Sequence, residues 1–475
     1  METKLFRPHS IICYALCLLL VAASCAFGQR ARTPSAQTQK VAKRAIIISL
    51  DGLDARYLSR RDEFNLRIPT LRRLMSEGAA ARGVMSVYPS VTYPAHTTIA
   101  TGVLPWRHGI LGNEIFESPD ERQTGEWNWF ARDIKADTLW RAASRAGLKT
   151  ALISWPASVG EGDYSFPEIL SLTNSMTETL SRIKANDRPD GFVEELEGRD
   201  PKLYSGSNKE ETDDLRTRFA EYVITEKRPD LVMIHLFDLD HFQHVYGPFT
   251  PEAFGMLEKV DTYVARIIAA ASRAGTLDET AIFIVSDHGF MPVSKEVHPT
   301  VLLARAGLLA VREVKREDGV YRMEIAGWRA VPYVTSGSCS IILRDPNDTD
   351  ALNKARAIFK PLAGKKGSGI FRVIEADEVK RLGANPRAAL MLDAEDGFQF
   401  GKHLTGDFIT ATERRGQHGY LPTRPDYKAS FIASGAGIRR RGSLGDIRML
   451  DIGPTIARVL KLKLRDAEGK ALQLK

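Results

Sequence analysis

Cysteine is nearly absent from this 475-residue chain. Of its four cysteines, Cys13, Cys17 and Cys25 crowd into the first 25 residues, which leaves Cys339 alone beyond them. One cysteine closes no intramolecular disulfide and builds no thiolate zinc site, so any metal must be held by imidazoles and carboxylates. A basic surface is missing too, despite a formal net charge of +7. Residues 1–44 set Lys4, Arg7, Arg30, Arg32, Lys40, Lys43 and Arg44 against Glu2 alone, so six of the seven net positive charges sit there. The remainder is close to neutral, which excludes a general polyanion surface and specific binding of duplex nucleic acid. The apolar run Ile11–Ala23 is too short for a comfortable membrane span. What is present, 43% hydrophobic and 26% charged residues, suits a folded chain with room for one large domain carrying insertions.

The N-terminus reads as an export signal. Lys4 and Arg7 precede the run Ile11–Ala23, and Ala26-Phe27-Gly28 fits small-x-small before a cut ahead of Gln29. Residues 1–28 are therefore expected to be a signal peptide, 29–44 a disordered tether, and 45–475 the folded domain, periplasmic or secreted. In a rival reading, Ala22-Ala23-Ser24-Cys25 is a lipoprotein site and acylated Cys25 tethers the protein to a membrane. That reading is the minor one, because a lipobox prefers Leu where Ala22 stands.

Beyond the tether the elements alternate as in an α/β protein. Ala45–Leu50, Leu231–Leu236 and Ala281–Ser286 are near-continuous apolar runs, the pattern of strands buried on both faces. Each ends in or just before acidic residues: Asp51, the pair Asp238 and Asp240, and Asp287-His288. A fourth run, Thr150–Ser154, stops at Trp155-Pro156. Helical stretches, including Thr138–Gly147 and Pro251–Gly275, lie between them. A mostly parallel sheet with helices on both faces follows, with its ligand site beyond the carboxyl ends of the strands. Two stretches interrupt this order. Residues from about 160 to 215 are polar and predict a surface insertion. Residues from about 300 to 412, with a strand at Gly337–Leu343 and a helix at Asp350–Leu362, predict a small inserted α+β subdomain.

Residues suited to metal chemistry fall at those strand ends. Asp240 and His244 share a face at i,i+4, Asp287 and His288 are adjacent, Asp51 ends the first strand, and His418 lies between glycines in Gly416–Tyr420. Three carboxylates and three imidazoles suit zinc, with manganese the alternative, and six ligands fit two ions better than one. Singly, each block has an ordinary explanation: a strand-ending Asp is more often a helix cap, and His418 could be a loop residue. Their arrival together, in order and at strand ends, is what carries the metal reading. His235, His241 and His298 are not counted as ligands: His235 completes a strand, and His241 points away from the Asp240/His244 face.

The segment Tyr88-Pro89-Ser90-Val91-Thr92-Tyr93-Pro94-Ala95-His96, continuing through Thr101-Gly102 to His108–Asn113, closely resembles the nucleophile region of the nucleotide pyrophosphatase/phosphodiesterase family, within the alkaline phosphatase superfamily. The resemblance extends over residues 45 to about 462 and includes the blocks at Asp51, Asp240–Pro248, Asp287–Gly289 and His418–Tyr420. It implies an alkaline-phosphatase-like three-layer sandwich around the sheet. It also implies Asp240, His244 and His418 on one zinc, with Asp51, Asp287, His288 and the Thr92 hydroxyl on a second. Thr92 is then the nucleophile that forms a phosphothreonine, and Asn113 donates its amide to a phosphoryl oxygen. His96 and His108 lie in the motif without a metal role. Tyr93 and Trp155 stand where relatives place aromatics against a nucleotide base.

Subclass follows from what surrounds Thr92. The sulfatase pattern C/S-x-P-x-R is absent, and no Arg follows Thr92 before Arg107, which favours a singly charged diester over a dianionic monoester. The expected function is a two-metal phosphodiester or nucleotide pyrophosphate hydrolase with a small-molecule substrate. The alternatives are a phosphate monoesterase, a phosphonate hydrolase, or a binding protein derived from such an enzyme. Comparing hydrolysis of a diester with that of a monoester separates the first two from the expected function, and intact Thr92 with a full ligand set argues against the last.

Overall fold

A computed structural model describes residues 41–474 except 122, 174, 201–202, 204–211 and 316–318. The readings for residues 1–40, leader and most of the tether, lie outside the described residues. The tether does not run to residue 44. The Lys43 amide donates to the Glu279 carbonyl at 2.9 Å, and Arg44 already opens the first strand.

The elements that place the site are β1 (Arg44–Leu50), α1 (Thr92–Thr101), β2 (Thr150–Ile153), β3 (Tyr164–Phe166), β4 (Leu231–Leu236), α2 (Asp238–Tyr246), β5 (Thr280–Val285), β6 (Met291–Val297), β7 (Gly416–Gln417) and β8 (Phe431–Gly435). Eight strands form the central sheet in the order Gly442–Ser443, Ala79–Ala80, β8, β5, β1, β4, β2, β3. From β5 to β3 every pairing is parallel, while β8 runs antiparallel against β5. β4 and β5 are buried at every residue and β1 at all but Arg44, so both faces are covered, as their unbroken apolar runs require. Register fixes the chemistry: Leu50 pairs with Leu236 and Ser49 with Val285, so Asp51, Phe237 and Asp287 leave the sheet side by side.

The stretch from residue 160 is more than a surface insertion. Tyr164–Phe166 is the edge strand of the central sheet, and Glu168 just beyond it is buried. The later stretch carries its own antiparallel sheet (Ala330–Thr335, Ser338–Leu343, Ala388–Ala394, Ile370–Glu375) around a second apolar cluster. Among the described residues no helix is long and apolar enough to cross a membrane.

Cys339 lies at the centre of that second cluster with no exposed surface, and burial pushes its thiol well above the ordinary range. A thiol that cannot ionise is a poor nucleophile. Cys339 is expected to resist iodoacetamide at pH 8 in the native protein and to react fully in guanidinium chloride; rapid native labelling, read by mass spectrometry, contradicts this.

Candidate active site

Three loops and one helix converge beyond the carboxyl ends of β1, β4 and β5. After β1 the chain turns at Gly52, whose φ of +66° is a left-handed conformation and whose absent Cβ would meet Gln243 Nε2 at 2.8 Å. That turn aims the Gly52 N–H at Asp287 Oδ1, 3.1 Å away. After β4, α2 is braced by a reciprocal arrangement: Asp238 accepts from the Thr212 and Asp213 amides, and Asp213 accepts from the Phe237 and Asp238 amides. Burial, reinforced by Asp238, pushes Asp213 up to about 7. The brace fixes the first turn of α2 and hence Asp240, with His244 one turn on.

The predicted ligands assemble into two groups of three. Asp51, Asp287 and His288 form one, and Asp240, His244 and His418 the other; within each, the ligand atoms lie within 4.8 Å of one another. The groups adjoin, since His288 Nε2 is 3.2 Å from Asp51 Oδ1 and 4.0 Å from Asp240 Oδ1, and the His288 and His418 rings stack at 3.7 Å. Asp51 Oδ1, Asp287 Oδ2, Asp240 Oδ1 and both His288 nitrogens are buried without a hydrogen-bond partner. Such orphaned atoms are costly unless something binds them. The companion atoms are tied down: Asp287 Oδ1 by Gly52, and His244 Nδ1 by the Gly416 carbonyl at 2.9 Å, which turns Nε2 toward Asp240 Oδ2, 3.3 Å away. Burial, then the charges of Asp287 and Asp240, push Asp51 well above the usual carboxylate range. Converging carboxylates with unpartnered oxygens and oriented imidazoles fit divalent cations of zinc type.

Beneath Asp51 lies a support that sequence reasoning missed. His235 Nε2 meets Asp51 Oδ2 at 2.8 Å, its Nδ1 meets Glu168 Oε2 at 2.7 Å, and Tyr93 donates its hydroxyl to Glu168 Oε1 at 2.9 Å. Burial opposes protonation of His235, yet the flanking Glu168 and Asp51 hold its pKa well above the ordinary value. His235 therefore orients one Asp51 oxygen while the other faces the first group of ligands. A buried His at a strand end was the available signal; Glu168, in a stretch read as surface, gave none.

Thr92 is the first residue of α1, a helix whose ten residues are all buried and which ends at left-handed Gly102. Pro94 is tolerated in the first turn, where its missing N–H has no helical partner anyway. His96, one turn on, meets the Thr92 carbonyl at 2.8 Å and Ser49 Oγ at 2.7 Å, anchoring the helix start against β1. Asn113 Oδ1 accepts the Tyr93 N–H at 2.9 Å, which leaves the Asn113 NH₂ as its donor. Thr92, Asn113, Asp51, Asp240, His244 and His418 share one cavity of about 580 Å³.

Tyr93 and Trp155 are not on that cavity. Both are completely buried: Tyr93 is spent on Glu168, and Trp155 packs edge-on to His96 at 5.1 Å. The partly exposed aromatic rings on the cavity are instead Trp127 and Phe237; Tyr333 and Phe400, also lining it, are buried. Trp127 stacks on Trp129 at 5.4 Å with Tyr93 edge-on behind it, and the Arg216 guanidinium lies 3.6 Å over Phe237. These two rings, with Glu168 and Leu170, also border a mostly apolar side chamber of about 760 Å³. His241 lies on the cavity as well. The absence of Arg close after Thr92 does not leave the cavity without cations, because Lys402, paired with Glu114 at 2.5 Å, and exposed Arg414 line it from the far side.

Comparison with known proteins agrees with this geometry. Murine ectonucleotide pyrophosphatase/phosphodiesterase 5 superposes with a TM-score of 0.63 at 19% identity, covering 90% of this chain and 97% of that one. The human protein of the same name gives 0.62 at 18% with the same coverage. The architecture is therefore alkaline-phosphatase-like. In sequence, venom phosphodiesterase 2 of Crotalus adamanteus is 25% identical over 260 residues, 52% of this chain and 27% of the venom protein. Human ectonucleotide pyrophosphatase/phosphodiesterase family member 1 is 25% identical over 253 residues, 51% of this chain and 23% of its own length. The matched part thus spans about a quarter of these curated relatives. The family profile itself matches residues 45–421, from β1 to just past His418, and the chain belongs to the type I phosphodiesterase / nucleotide pyrophosphatase family.

Proposed function

We propose that this protein is a metal-dependent phosphodiester hydrolase that acts on nucleotide-type diesters or pyrophosphates through a covalent phosphothreonine on Thr92. The observation that carries the reading is the cavity itself: Thr92, at the start of a buried helix, lines the same space as Asp51, Asp240, His244 and His418, which belong to two groups of three candidate ligands with unpartnered atoms. Asp240, His244 and His418 would hold one divalent cation, and Asp51, Asp287 and His288, with Thr92, the other. When bound, the ions lower the pKa of the Thr92 hydroxyl and neutralise charge on the phosphoryl oxygens. Thr92 Oγ1 then attacks phosphorus and the leaving alcohol or phosphate departs; water cleaves the phosphothreonine in a second displacement. The Asn113 NH₂ donates to a nonbridging oxygen, as does the Thr92 N–H, which as a first helical residue has no helical acceptor. His96 and Asn113 keep the nucleophile at one position, the first through the Thr92 carbonyl and the second through the Tyr93 amide. Support comes also from a structural neighbour, murine ectonucleotide pyrophosphatase/phosphodiesterase 5, described as inactive in a threonine-to-alanine variant and in complex with AMP.

Trp127 and Phe237 are the rings a nucleobase would stack on. Bis-p-nitrophenyl phosphate is expected to be hydrolysed with much higher kcat/KM than p-nitrophenyl phosphate. Trp127→Ala should raise KM for a dinucleotide by about tenfold or more, since stacking is worth ~1–3 kcal/mol per base, and change the aryl diester less. A monoester preference would instead support the second reading, phosphate monoesterase, which Arg414 and Lys402 on the cavity favour. Equal losses on both diesters would remove the base-stacking role.

A further inference from the structure

Glu296, His298 and His403 form a third group whose ligand atoms lie within 4.8 Å of one another, separate from the six residues above. Glu296 and His403 line the same cavity as Thr92, and His298 lies behind them, buried. We propose that these three residues bind a third divalent cation, of zinc type, at the edge of that cavity.

The tautomer of His298 is set by its neighbours. The His403 backbone N–H can only donate, and it points at His298 Nδ1 from 3.3 Å, so Nδ1 carries the lone pair and Nε2–H donates to Thr410 Oγ1 at 2.8 Å. A ring fully buried and held at Nε2 in this way turns its lone-pair nitrogen, Nδ1, toward Glu296, the arrangement typical of a metal-ligating histidine. Glu296 is oriented in the same manner. Its Oε1 accepts from Gln399 Nε2 and, at 3.2 Å, from Thr412 Oγ1, while Oε2 has no hydrogen bond among the described residues. His298 Nδ1, whose contact with the His403 N–H is a long 3.3 Å, and the unpartnered Glu296 Oε2 meet over Gly401, where a Cβ would lie 2.5 Å from Nδ1 and 2.8 Å from Oε2. A side chain there would fill the space between them. The exposed His403 ring, stacked on His298 at 4.1 Å, already places a ring nitrogen within 4.8 Å of the other two ligand atoms.

Two His and one carboxylate match the open three-ligand sets that zinc accepts, with further positions left to water or a substrate oxygen. Electrostatics argue the same way. An anionic substrate entering this cavity meets the Glu296 carboxylate, and a cation bound there reverses the sign of that wall. Glu296 is also joined to the catalytic centre: Gln399 donates to it, Gln417 Nε2 donates to Gln399 Oε1 at 2.7 Å, and Gln417 Oε1 accepts the His418 N–H at 3.0 Å. An ion on Glu296 is thereby linked to the backbone that carries His418.

The test is Zn²⁺ titration of the full-length mature protein, with bound metal counted after equilibrium dialysis. His403→Ala removes an exposed ring and Glu296→Gln keeps the acceptor that Gln399 uses, so both should fold, as circular dichroism can verify. The expected result is one Zn²⁺ fewer per chain in each variant than in wild type, or a last equivalent bound at least about tenfold more weakly. Equal stoichiometry and affinity in all three proteins overturn the proposal. A failure of the two-metal reading is distinguishable, because it lowers the total equally in wild type and variants while this site is read from their difference.

Discussion

Thr92→Ala should lower turnover by at least about 10³-fold, because the attacking oxygen and a ligand to one cation vanish together. The fold should be unaffected. The Thr92 hydroxyl makes no hydrogen bond among the described residues, and α1 is held by the Thr92 carbonyl, His96 and the Gly102 cap, none of which changes. Thr92→Ser should retain part of the activity, since a primary hydroxyl can occupy the same place without the methyl that restricts its rotamer. Stereochemistry gives an independent reading. Two displacements at a chiral phosphorothioate diester return the starting configuration, whereas one direct attack by water inverts it. Inversion, or a Thr92→Ala enzyme near the wild-type rate, ends the covalent mechanism and leaves the ligand groups untouched.

Chelation has the second large effect. Protein stripped of metal should lose at least about 10²-fold in activity, and zinc should restore it. The stripped site leaves Asp51, Asp240 and Asp287 facing one another around unpartnered oxygens, so stability should fall as well. A ligand present at ~1,000 times its Kd contributes about 4 kcal/mol to the native state, a loss visible as a lower Tm. Asp240→Asn preserves shape and removes one charge next to His244, His288 and His418. It should retain about one tightly held ion fewer than wild type and show most of the same fall in rate. Full activity in metal-free protein, measured with the metal content of the same sample, would refute the assignment.

The candidate ligand groups were legible because their positions depend on chain direction alone. Parallel strands of one sheet end at one edge, so acids written after Leu50, Leu236 and Ser286 had to meet, and i,i+4 spacing had to put His244 beside Asp240. Orientation about a bend was not legible in the same way. Tyr93 follows Thr92 and Trp155 ends a strand, yet one turns inward to Glu168 and the other against His96. Which way a ring turns depends on neighbours from distant segments, and those leave no local pattern. Glu168 was missed for the same reason, lying 67 residues before the histidine it contacts in a stretch whose polarity suggested solvent. Arg414 on the cavity shows the same limit, since an argument from Arg spacing after Thr92 cannot see a residue returned by a long insertion.

Glu168 stands at a junction with a consequence for how such a site can change. On one side it holds His235, and through it Asp51; on the other it belongs to the wall of the apolar chamber, with Leu170, Met176, Leu180 and Ile183. About half of the chamber's lining comes from the segment after β3, while the candidate metal ligands come from other loops. Residues 170–183 can therefore be exchanged to reshape what the chamber accepts without touching a ligand, provided the substitution stops short of residue 168. A library confined to that segment would vary leaving-group or base preference on a fixed hydrolytic centre. One reaching two residues further toward β3 would lose that centre along with the old specificity.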